Sequence, residues 1–487
     1  MSLRAKTLSG AFFNLFSNGF TQLINFAVYA IMAQLLEVEE FGLVAICMLI
    51  VEFCSVFVTS GVNQNLIQRK TWDQGYAALA YWLLLGISGA ITLILLLVGC
   101  PLVYYFYSPT ACYLLAALAV IPVCNGFRLV HRAKMEREFL NKQLALFESA
   151  GIVVGGAISI FAALQGAGAW AIVYGKVAHT LLSTSLTIYR SDFHVTRVHD
   201  LADLKEMMSF IKPLLGMAII NFFSARTSNI VIAAALGPSI YAYASIAKQG
   251  FSVISNFTLQ PLNRIALAGL SRVSEANLAQ SYFRIVSMTA LFVTPVIFGI
   301  GAISYPFVDI FFGEKWAFSA HLISILALTV PNSVLGWYLT NLLISQGHAR
   351  PAFRLNIISL CANTALPILM VLLGYGVTAV FTSTVLATYI TIQIRFKLVN
   401  QHLPITFRDS FRHTWPYSFS GAVMFALVLA TERLNGLSHV LNVENRLLEM
   451  VMLILLGAIL YTGLLALFFR QRVINTLSEF KALKRKS

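Results

Sequence analysis

Charged residues are scarce in this sequence. Only 11% of its 487 residues are Asp, Glu, Lys or Arg, whereas 58% are hydrophobic and the mean hydropathy is +0.78. Soluble globular domains carry about 25% charged residues. A chain so poor in charge is not an ordinary soluble protein, and the composition indicates an integral membrane protein.

Patterns that support enzyme chemistry are also missing. The six cysteines form no CxxC pair, and most lie in apolar runs, where a thiol behaves as a small hydrophobic group. The sequence contains no paired-carboxylate motif, no cluster with metal-ligand spacing, no Gly-rich phosphate loop and no GxSxG motif. We therefore expect no disulfide framework, no metal site and no cofactor, and a function other than catalysis.

What the sequence does contain is a series of long apolar runs. A helix of about 20 apolar residues crosses the roughly 30 Å hydrocarbon core of a membrane, so these runs predict an all-α polytopic membrane protein with about 14 transmembrane helices. The predicted spans are 9–36, 41–62, 76–98, 110–130, 144–164, 167–189, 213–236, 240–263, 281–304, 318–345, 353–374, 376–396, 415–431 and 447–469.

The distribution of basic residues predicts the orientation of the chain. There are 34 Lys and Arg against 20 Asp and Glu. If both termini are cytoplasmic, most of the basic residues fall in cytoplasmic segments, as the positive-inside rule requires. These segments include loops predicted at 69–74, 128–142 and 190–212. Basic loops of this kind account for the net charge of +14, so we expect no nucleic-acid partner. The first apolar run is too long for the core of a cleavable signal peptide, and we expect it to remain as a membrane anchor.

Two distant stretches share one layout, which predicts an internal duplication. Each of 36–70 and 236–272 is a polar turn followed by an apolar run and a basic exit. An even number of spans per half gives both halves the same orientation, related by a parallel pseudo-two-fold repeat. The predicted segments are an N-terminal six-helix bundle (1–195), a cytoplasmic amphipathic linker (196–212), a C-terminal six-helix bundle (213–397), and two extra C-terminal helices with a basic tail (398–487).

The first predicted span carries a stripe of amides. Its members follow one another at helical spacing on one face: Asn14, Asn18, Gln22 and Asn25. Such amides either hydrogen-bond neighbouring helices as packing contacts or line a hydrated cavity. A continuous stripe favours the cavity, and we predict that these amides bind substrate.

Several ionisable side chains lie well inside predicted spans. They are Glu52, Lys176, His179, Arg226 and Lys248. A charge that faces lipid at the centre of a helix costs about 2.5–3.5 kcal/mol, so we expect these groups to face inward. Because the cations outnumber the single carboxylate, an anionic ligand would balance the excess. We therefore predict that Arg226, Lys248 and Lys176 bind substrate in a cavity between the halves. The alternative is an ion pair of Arg226 or Lys248 with Glu52 across the two halves.

Lys248 is the best placed of these cations, because it shares a helical stripe with three serines (Ser245, Ser252 and Ser255). The preceding span carries a similar stripe (Asn221, Ser224 and Ser228). His179 is either a hydrogen-bonded interior residue or a proton relay, and we predict that His179 and Glu52 act in ion coupling or as charge partners. Glu148, near the cytoplasmic start of its span, is expected to be simply solvated.

Four stretches resemble the signature sequences of bacterial polysaccharide flippases of the Wzx type, within the multidrug/oligosaccharidyl-lipid/polysaccharide (MOP) exporter superfamily. They are LLEVEEFGL (35–43), GVNQNLIQRK (61–70), LGPSIYAYASIAKQ (236–249) and FFGEKWAFSAHLISILAL (311–328). The resemblance is to the colanic-acid and exopolysaccharide exporter branch, and it covers nearly the whole chain.

This resemblance implies a V-shaped alternating-access transporter. Its expected substrate is undecaprenyl-diphosphate-linked oligosaccharide, moved from the cytoplasmic to the periplasmic leaflet of the bacterial inner membrane. The expected partners are membrane lipids, a polysaccharide polymerase and a chain-length regulator. The sequence departs from the family pattern at three positions: Ser228 replaces a frequent aspartate, Ala234 a frequent arginine and Val38 the usual proline. These departures argue against a carboxylate-based coupling site in the second half.

Two other functions remain open from the residues alone. A multidrug cation antiporter of the same superfamily would need an acidic cavity, whereas the predicted cavity is net basic. A membrane polysaccharide polymerase or ligase would need catalytic groups on a substantial outer loop, and the longest predicted outer segment, 432–446, is short. The residues therefore favour the flippase.

Overall fold

The computed structural model describes residues 19, 21–196, 202–270, 275–434, 445–476 and 478. Within these ranges every regular element is a helix. A membrane interior offers no water to the backbone N–H and C=O groups, and a helix pairs them within one segment. The predicted all-α polytopic fold class is confirmed.

The chain divides into two compact units. The first unit is Met1–Phe223 with Gly237–Ala242, and the second is Ser224–Leu236 with Tyr243–Ser487. The boundaries of the four predicted segments stay predictions.

The first unit contains nine helices among its described residues, and a tenth begins in it. They are α1 (Thr21–Leu35), α2 (Val38–Thr59), α3 (Val62–Gln68), α4 (Gln74–Ile94), α5 (Cys100–Phe106), α6 (Pro109–Leu118), α7 (Val120–Arg137), α8 (Asn141–Leu164), α9 (Trp170–Arg190) and the start of α10 (Ala202–Leu270). A π-helical turn, Leu95–Gly99, joins α4 to α5.

The second unit contains most of the rest of α10 and the helices that follow it. These are α11 (Glu275–Ala302), α12 (Ser304–Phe312), α13 (Ala317–Ala327), α14 (Val330–Gly336), α15 (Leu339–Ser345), α16 (Ala349–Leu372), α17 (Val377–Asn400), α18 (Phe407–Arg433) and α19 (Arg446–Phe468). A 3-10 turn, Glu314–Trp316, precedes α13.

Each predicted span has a helix in its described part, but the number of spans is not settled at fourteen. Ten helical segments among the described residues are long and apolar enough to cross a membrane, and one bent pair makes up to 11. The count is lower partly because α1 is described only from Thr21, and partly because Asp203–Leu259 counts once although it contains two predicted spans. The number fourteen stays a prediction.

Helix α10 is broken at Gly237. The φ of 82° and ψ of 176° there belong to a region that is essentially accessible only to glycine. Gly237 separates a first arm, 202–236, from a second arm, 238–270. The chain folds back at this glycine, since Lys248 on the second arm reaches Ser228 on the first. Polar side chains on the two arms are therefore neighbours in space, although Ser228 and Lys248 are 20 residues apart in sequence.

From residue 202 onward, the predicted amphipathic linker folds as the start of α10. Its apolar residues Met207 and Ile211 are buried in a cluster with side chains of α3, α4 and α7. Its polar side carries Glu206, whose two carboxylate oxygens accept hydrogen bonds of 3.1 and 3.3 Å from Arg69. The apolar pattern of the linker therefore serves to pack it against the first unit, and its position on the inner membrane surface stays a prediction.

Helix α7 continues to Arg137, into the segment predicted as a cytoplasmic loop. Arg128 and His131 are buried in it. The guanidinium of Arg137 donates hydrogen bonds to three backbone carbonyls at the end of α3 (Leu66, Arg69 and Lys70). The prediction of a loop is wrong over 128–137, because the chain is helical there. The cytoplasmic location of this segment stays a prediction.

The two last helices are an integral part of the second unit. Tyr461 of α19 donates a hydrogen bond of 3.0 Å to the carbonyl of Leu291 on α11. Gly421 of α18 lies so close to α11 that an added Cβ would be 2.9 Å from the ring of Phe298. Close approach through small residues is a common way for helices to associate in membranes.

Candidate functional site

Lys248 lies on the second arm of α10, half-buried among polar groups. Its Nζ donates a hydrogen bond of 2.6 Å to Ser228 Oγ and another to Asn229 Oδ1, both on the first arm. The ring of Phe381 on α17 lies 5.5 Å from the ammonium, within range of a cation–π contact. A hydroxyl, an amide and an aromatic face are all neutral groups. They stabilise the charge of Lys248 without cancelling it.

Arg226 brings a second positive charge to the same place. It precedes Ser228 by two residues and lies close enough to Lys248 for the two charges to interact. Like charges repel more strongly as the effective dielectric falls, so a negative group placed between them would lower the energy of both. Ser228 stands where the resembling family often has an aspartate, so the acceptor that faces Lys248 at this position is neutral.

An apolar cavity of about 340 Å³ lies in the second unit, lined by the second arm of α10, α11, α18 and α19. Its walls include Ile254, Val296, Ile300, Met424, Val428 and Leu453. Ordered water needs polar partners, so a cavity with such walls favours an apolar occupant. Helices α18 and α19, the two extra helices of the sequence prediction, thus help to form a space suited to hydrocarbon.

The structure describes two of the four predicted amides on the first span. Gln22 is half-buried on α1, and Asn25 is exposed. An exposed amide is not buried in a helix–helix contact, which favours a hydrated role for Asn25 over a packing role. Asn14 and Asn18 lie outside the described residues. Substrate binding by these amides stays a prediction.

Lys176 and Glu52 lie in the first unit, on α9 and α2, and both side chains are exposed. Lys176 interacts electrostatically with two carboxylates, Glu148 and Glu52. Negative charge is therefore already present around Lys176. This favours a role as a charge partner over the predicted role in binding an anionic substrate.

Glu148 of α8 is the centre of a charged network that sequence reasoning missed. Arg128 Nη2 donates to Glu148 Oε2 at 2.6 Å, a short charge-assisted hydrogen bond. His179 Nε2 lies 3.2 Å from the other carboxylate oxygen. Arg128 also donates to Ser183 Oγ at 3.2 Å. The expectation that Glu148 is simply solvated is wrong, because each of its oxygens faces a basic side chain.

Small residues hold His179 beside this carboxylate. Gly151 follows Glu148 by one turn of α8, and a Cβ added there would lie 2.7 Å from His179 Cδ2 and 3.0 Å from its carbonyl oxygen. Gly155 and Gly175 form a similar close contact between α8 and α9. Because glycine lets two helix backbones approach closely, the imidazole can reach the carboxylate on the neighbouring helix.

A signal for Arg128 was present in the sequence. Arg128 lies in the apolar stretch VIPVCNGFRLV, 120–130, and a basic residue within such a stretch is expected inside a span and not in a loop. The signal for Glu148 was weaker, because a carboxylate two turns into a span also fits a solvated helix end. Its partners lie on two other helices, and sequence spacing does not show such contacts.

Within the described ranges, no three His, Cys, Asp or Glu side chains are grouped so that they could hold a metal ion. The six cysteines are free thiols, and Cys47, Cys100 and Cys124 are buried. The charged and polar side chains around Lys248 and Glu148 are therefore the groups to which a function can be assigned.

Ionisable side chains held inside the helices of a polytopic protein commonly mark substrate or ion pathways, as they do in membrane transporters. The chain belongs to the polysaccharide biosynthesis protein family, which matches residues 31–321. The predicted relationship to polysaccharide exporters is thereby confirmed at the level of the family.

Two curated proteins illustrate the relationship in sequence. The chain is 23% identical over 370 residues to the lipopolysaccharide biosynthesis protein WzxC of Escherichia coli (strain K12), covering 73% of each protein. It is 24% identical over 309 residues to the succinoglycan biosynthesis transport protein ExoT of Rhizobium meliloti (strain 1021), covering 63% of this chain and 62% of that protein.

Solved structures show the same fold. The chain resembles the lipid II flippase MurJ in an inward closed conformation, with a TM-score of 0.76 at 13% identity over 95% of this chain and 100% of that one. It also resembles an inward-facing multidrug resistance MATE family transporter of the MOP superfamily, with a TM-score of 0.60 at 15% identity over 78% and 94%. These likenesses concern the fold alone.

Proposed function

We propose that the protein is a flippase that moves undecaprenyl-diphosphate-linked oligosaccharide repeat units across the bacterial inner membrane by alternating access. It serves exopolysaccharide, capsule or lipopolysaccharide biosynthesis as a transporter, not as an enzyme. The family and the names of the relatives support this proposal. The observation that carries it is Lys248, whose ammonium is held in the spans by two neutral hydrogen-bonding groups and lies close enough to Arg226 for the two charges to interact.

The head group is the anionic part of this substrate. A lysine and an arginine bind a diphosphate by charge-assisted hydrogen bonds, and the arginine can present two parallel N–H groups. Ser228 and Asn229 orient the ammonium of Lys248 while leaving the charge available for phosphate. The amides of the first span would donate and accept hydrogen bonds with sugar hydroxyls, which need both functions.

The polyprenyl tail requires an apolar path. The cavity between α11, α18 and α19 is lined by aliphatic side chains and is suited to a segment of such a tail. A tail that moves from lipid into this cavity exchanges one apolar environment for another, so a segment could occupy it at little cost, held by van der Waals packing. The tail thus remains in apolar surroundings while the head group crosses.

The direction of transport is compatible with the membrane potential. An inside-negative potential favours outward movement of a negative charge by about 2.3 kcal/mol per charge per 100 mV. The proposal places both termini in the cytoplasm, because Lys and Arg then concentrate on that side. Membrane lipids surround the protein, and a polysaccharide polymerase with its chain-length regulator would receive the flipped units.

A multidrug cation antiporter is less well supported. Its substrate would meet the positive charges of Lys248 and Arg226, which repel a cation. A polymerase or ligase is also less well supported, because both candidate clusters lie within the helices and not on an outer loop. Neither alternative explains why a lysine inside the spans is hydrogen-bonded to neutral groups.

The test replaces the two cations together. A producing strain whose own gene is deleted would carry the wild-type gene or the Arg226→Ala/Lys248→Ala variant. We expect polymer export to fall at least about tenfold, because each charge-assisted hydrogen bond contributes about 1.5–3 kcal/mol. Lipid-linked repeat units should accumulate in the cytoplasmic leaflet, measured by mass spectrometry and by their accessibility to a lectin in inverted vesicles.

The matched control is Lys70→Ala, which removes an exposed lysine at the end of α3 and should leave export unchanged. Equal membrane levels of all variants would be checked by immunoblot. Normal export by the double variant would refute the cationic site. Accumulation on the outer side instead would point to the polymerase alternative, since the unit would then be flipped but not used.

A further inference from the structure

Three of the six cysteines come together in the first unit. Cys47 lies on α2, Cys100 is the first residue of α5, and Cys112 lies on α6. All three belong to one cluster of buried and partly buried side chains. We propose that Cys100 and Cys112 are joined by a disulfide bond on the outer side of the membrane. The proposal rests on the proposed orientation, with both termini in the cytoplasm, and not on the transport activity.

The hairpin of α5 and α6 places these two side chains side by side. Cys100 Sγ donates a hydrogen bond of 3.5 Å to the carbonyl oxygen of Cys112, and the two thiols also interact with each other. A disulfide forms only where two cysteine backbones approach closely. A sulfur that contacts both the backbone and the thiol of its partner shows such an approach.

The turn between the two helices holds the pair near the membrane surface. Helix α5 ends at Phe106, and Ser108 caps α6 by accepting a hydrogen bond of 3.2 Å from the backbone N–H of Ala111. Tyr105 and Phe106 are exposed at the tip of the hairpin. Tyrosine is enriched where a membrane meets water. The two cysteines lie within about two helical turns of this tip, at the same end of the first unit.

The proposed orientation puts this tip in an oxidising compartment. With the termini in the cytoplasm, the turn joins the predicted spans 76–98 and 110–130 on the outer side. Disulfides form and persist in the bacterial periplasm, whereas cytosolic thiols stay reduced. The sequence prediction of no disulfide framework relied on the lack of CxxC pairs. Cys100 and Cys112 are 12 residues apart, and only the turn brings them together.

Cys47 is the competing partner within the cluster. Its Sγ donates a hydrogen bond of 3.4 Å to the carbonyl of Ala111, and it interacts with both other thiols. Cys47 is fully buried, whereas Cys112 is partly exposed. An oxidant has to reach a sulfur atom, so Cys112 reacts first and its contact with Cys100 decides the pairing. The three thiols are not grouped so that they could hold a metal ion.

The bond forms by thiol–disulfide exchange with the disulfide of a periplasmic thiol oxidoreductase. The thiolate of Cys112 attacks one sulfur of this oxidant, which forms a mixed disulfide and releases the other sulfur as a thiolate. The thiolate of Cys100 then attacks Cys112 Sγ, forming the Cys100–Cys112 bond and breaking the mixed disulfide. The two cysteines lose two protons and two electrons, and the oxidant becomes a dithiol that takes up both protons.

The first experiment determines the redox state of the wild-type protein in cells. Cells would be quenched with acid, and free thiols would be blocked with N-ethylmaleimide before the protein is purified. Trypsin leaves the two cysteines on one peptide, because 71–127 contains no Lys or Arg, whereas chymotrypsin separates them by cleaving after Tyr105. We expect the Cys100 and Cys112 peptides to be joined in most chains, with a mass two hydrogens below their sum. The other cysteines should carry the maleimide.

Two variants control this measurement. Cys100→Ser keeps a hydrogen-bond donor toward the carbonyl of Cys112 and should leave Cys112 labelled by the maleimide. Cys361→Ser removes an exposed thiol on α16 and should leave the joined peptides unchanged. Because closing a loop restricts the unfolded chain, a phosphine reductant should lower the unfolding midpoint of the wild type and not that of Cys100→Ser. Unpaired Cys100 and Cys112 in most wild-type chains, or a disulfide that contains Cys47, would overturn the proposal.

The second experiment tests the side of the membrane. Tyr105→Cys would be introduced into a chain in which Cys100 and Cys112 are both replaced by Ser, and intact spheroplasts would be treated with a membrane-impermeant maleimide. We expect Tyr105→Cys to be labelled, because its side chain is exposed at the tip of the hairpin. A tip that is labelled only after the cells are broken would overturn the outer location. If the protein were not a flippase, the joined peptides and the labelling would still be seen.

Discussion

Two lysines inside the helices, Lys176 in the first unit and Lys248 in the second, have opposite surroundings. Lys176 interacts with the carboxylates of Glu148 and Glu52. Lys248 donates to a hydroxyl and an amide and lies near an aromatic ring. In the first unit the protein itself supplies the negative charge, and in the second unit the hydrogen-bonding groups leave the positive charge in place.

This difference shows that residue type alone does not assign a role. A lysine among carboxylates is part of a balanced internal network, whereas a lysine held by neutral oxygens can bind an anion from outside the protein. The sequence prediction treated the two lysines alike, as substrate-binding residues. The structure favours that role for Lys248 and a charge-partner role for Lys176, and this comparison can be tested from both sides.

The largest effect is expected when Lys248 is given a carboxylate as a neighbour, as Lys176 has. Ser228→Asp would place a carboxylate within hydrogen-bonding distance of Lys248, since the serine oxygen is 2.6 Å away. The resulting ion pair would compete with phosphate, and we expect polymer export to fall at least about tenfold, because a charge-assisted bond contributes about 1.5–3 kcal/mol. Export would be measured in the complemented deletion strain.

The control for this substitution is Ser228→Asn, which has nearly the same shape as Asp but no charge. Its export should remain within about threefold of the wild type, as expected for the loss or replacement of one neutral hydrogen bond. An equal loss of export in the two variants would mean that the shape of the side chain at this position matters and its charge does not. The proposed difference between the two lysines would then be wrong.

A smaller effect is expected when a carboxylate is removed from the first unit. Glu148→Gln leaves Arg128 without its ion-pair partner, and 11% of the Arg128 side chain is exposed against 37% for Glu148. Breaking a fully buried pair costs about 3–5 kcal/mol, and the partial exposure reduces our expectation to about 1–3 kcal/mol. This loss of stability would be measured as a lower thermal unfolding midpoint in detergent. Glu138→Gln breaks an i,i+4 pair within α7, and because such pairs contribute only about 0.3–0.5 kcal/mol, the midpoint should change less.

The last effect, similar in size to the preceding one, concerns the packing that supports this network. Gly151→Ala adds a methyl group 2.7 Å from His179 Cδ2, and overpacking of this kind costs about 1–3 kcal/mol. Gly86→Ala is the matched control, because an added Cβ there meets no atom within 4 Å and alanine is the better helix former. An unchanged unfolding midpoint in Gly151→Ala would indicate that the two helices separate easily.

The positions of the helices were predictable from the sequence wherever a long apolar run requires a membrane span. In the part of the chain that the structure describes, each apolar run long enough to cross the membrane lies on a helix, because the backbone has no other way to satisfy its polar groups there. The polar stripes on α10 were also visible, since they follow from the helical period. The stripes did not predict the contact of Asn229 with Lys248. Asn229 lies next to the predicted stripe that contains Ser228, yet it accepts a hydrogen bond from Lys248 as Ser228 does.

Contacts between helices were less predictable. Arg128 was assigned to a loop because basic residues are frequent at cytoplasmic ends, yet α7 continues past it and buries it. Glu148 was assigned to solvent because its partners, Arg128 and His179, come from other helices. The reason is physical: the period of a helix defines its faces, but which faces meet depends on the small residues, such as Gly151, that let particular helices approach.

The break at Gly237 also bears on how the protein enters the membrane during synthesis. Because a single glycine separates the arms of α10, there is no soluble loop to hold them apart, and they are expected to insert as a helical hairpin. Lys248 would then bring its own acceptors, Ser228 and Asn229, into the bilayer with it. Inserting a lysine at the centre of a lone helix costs about 2.5–3.5 kcal/mol, and a hairpin that hydrogen-bonds the ammonium from the outset lowers this barrier to biogenesis.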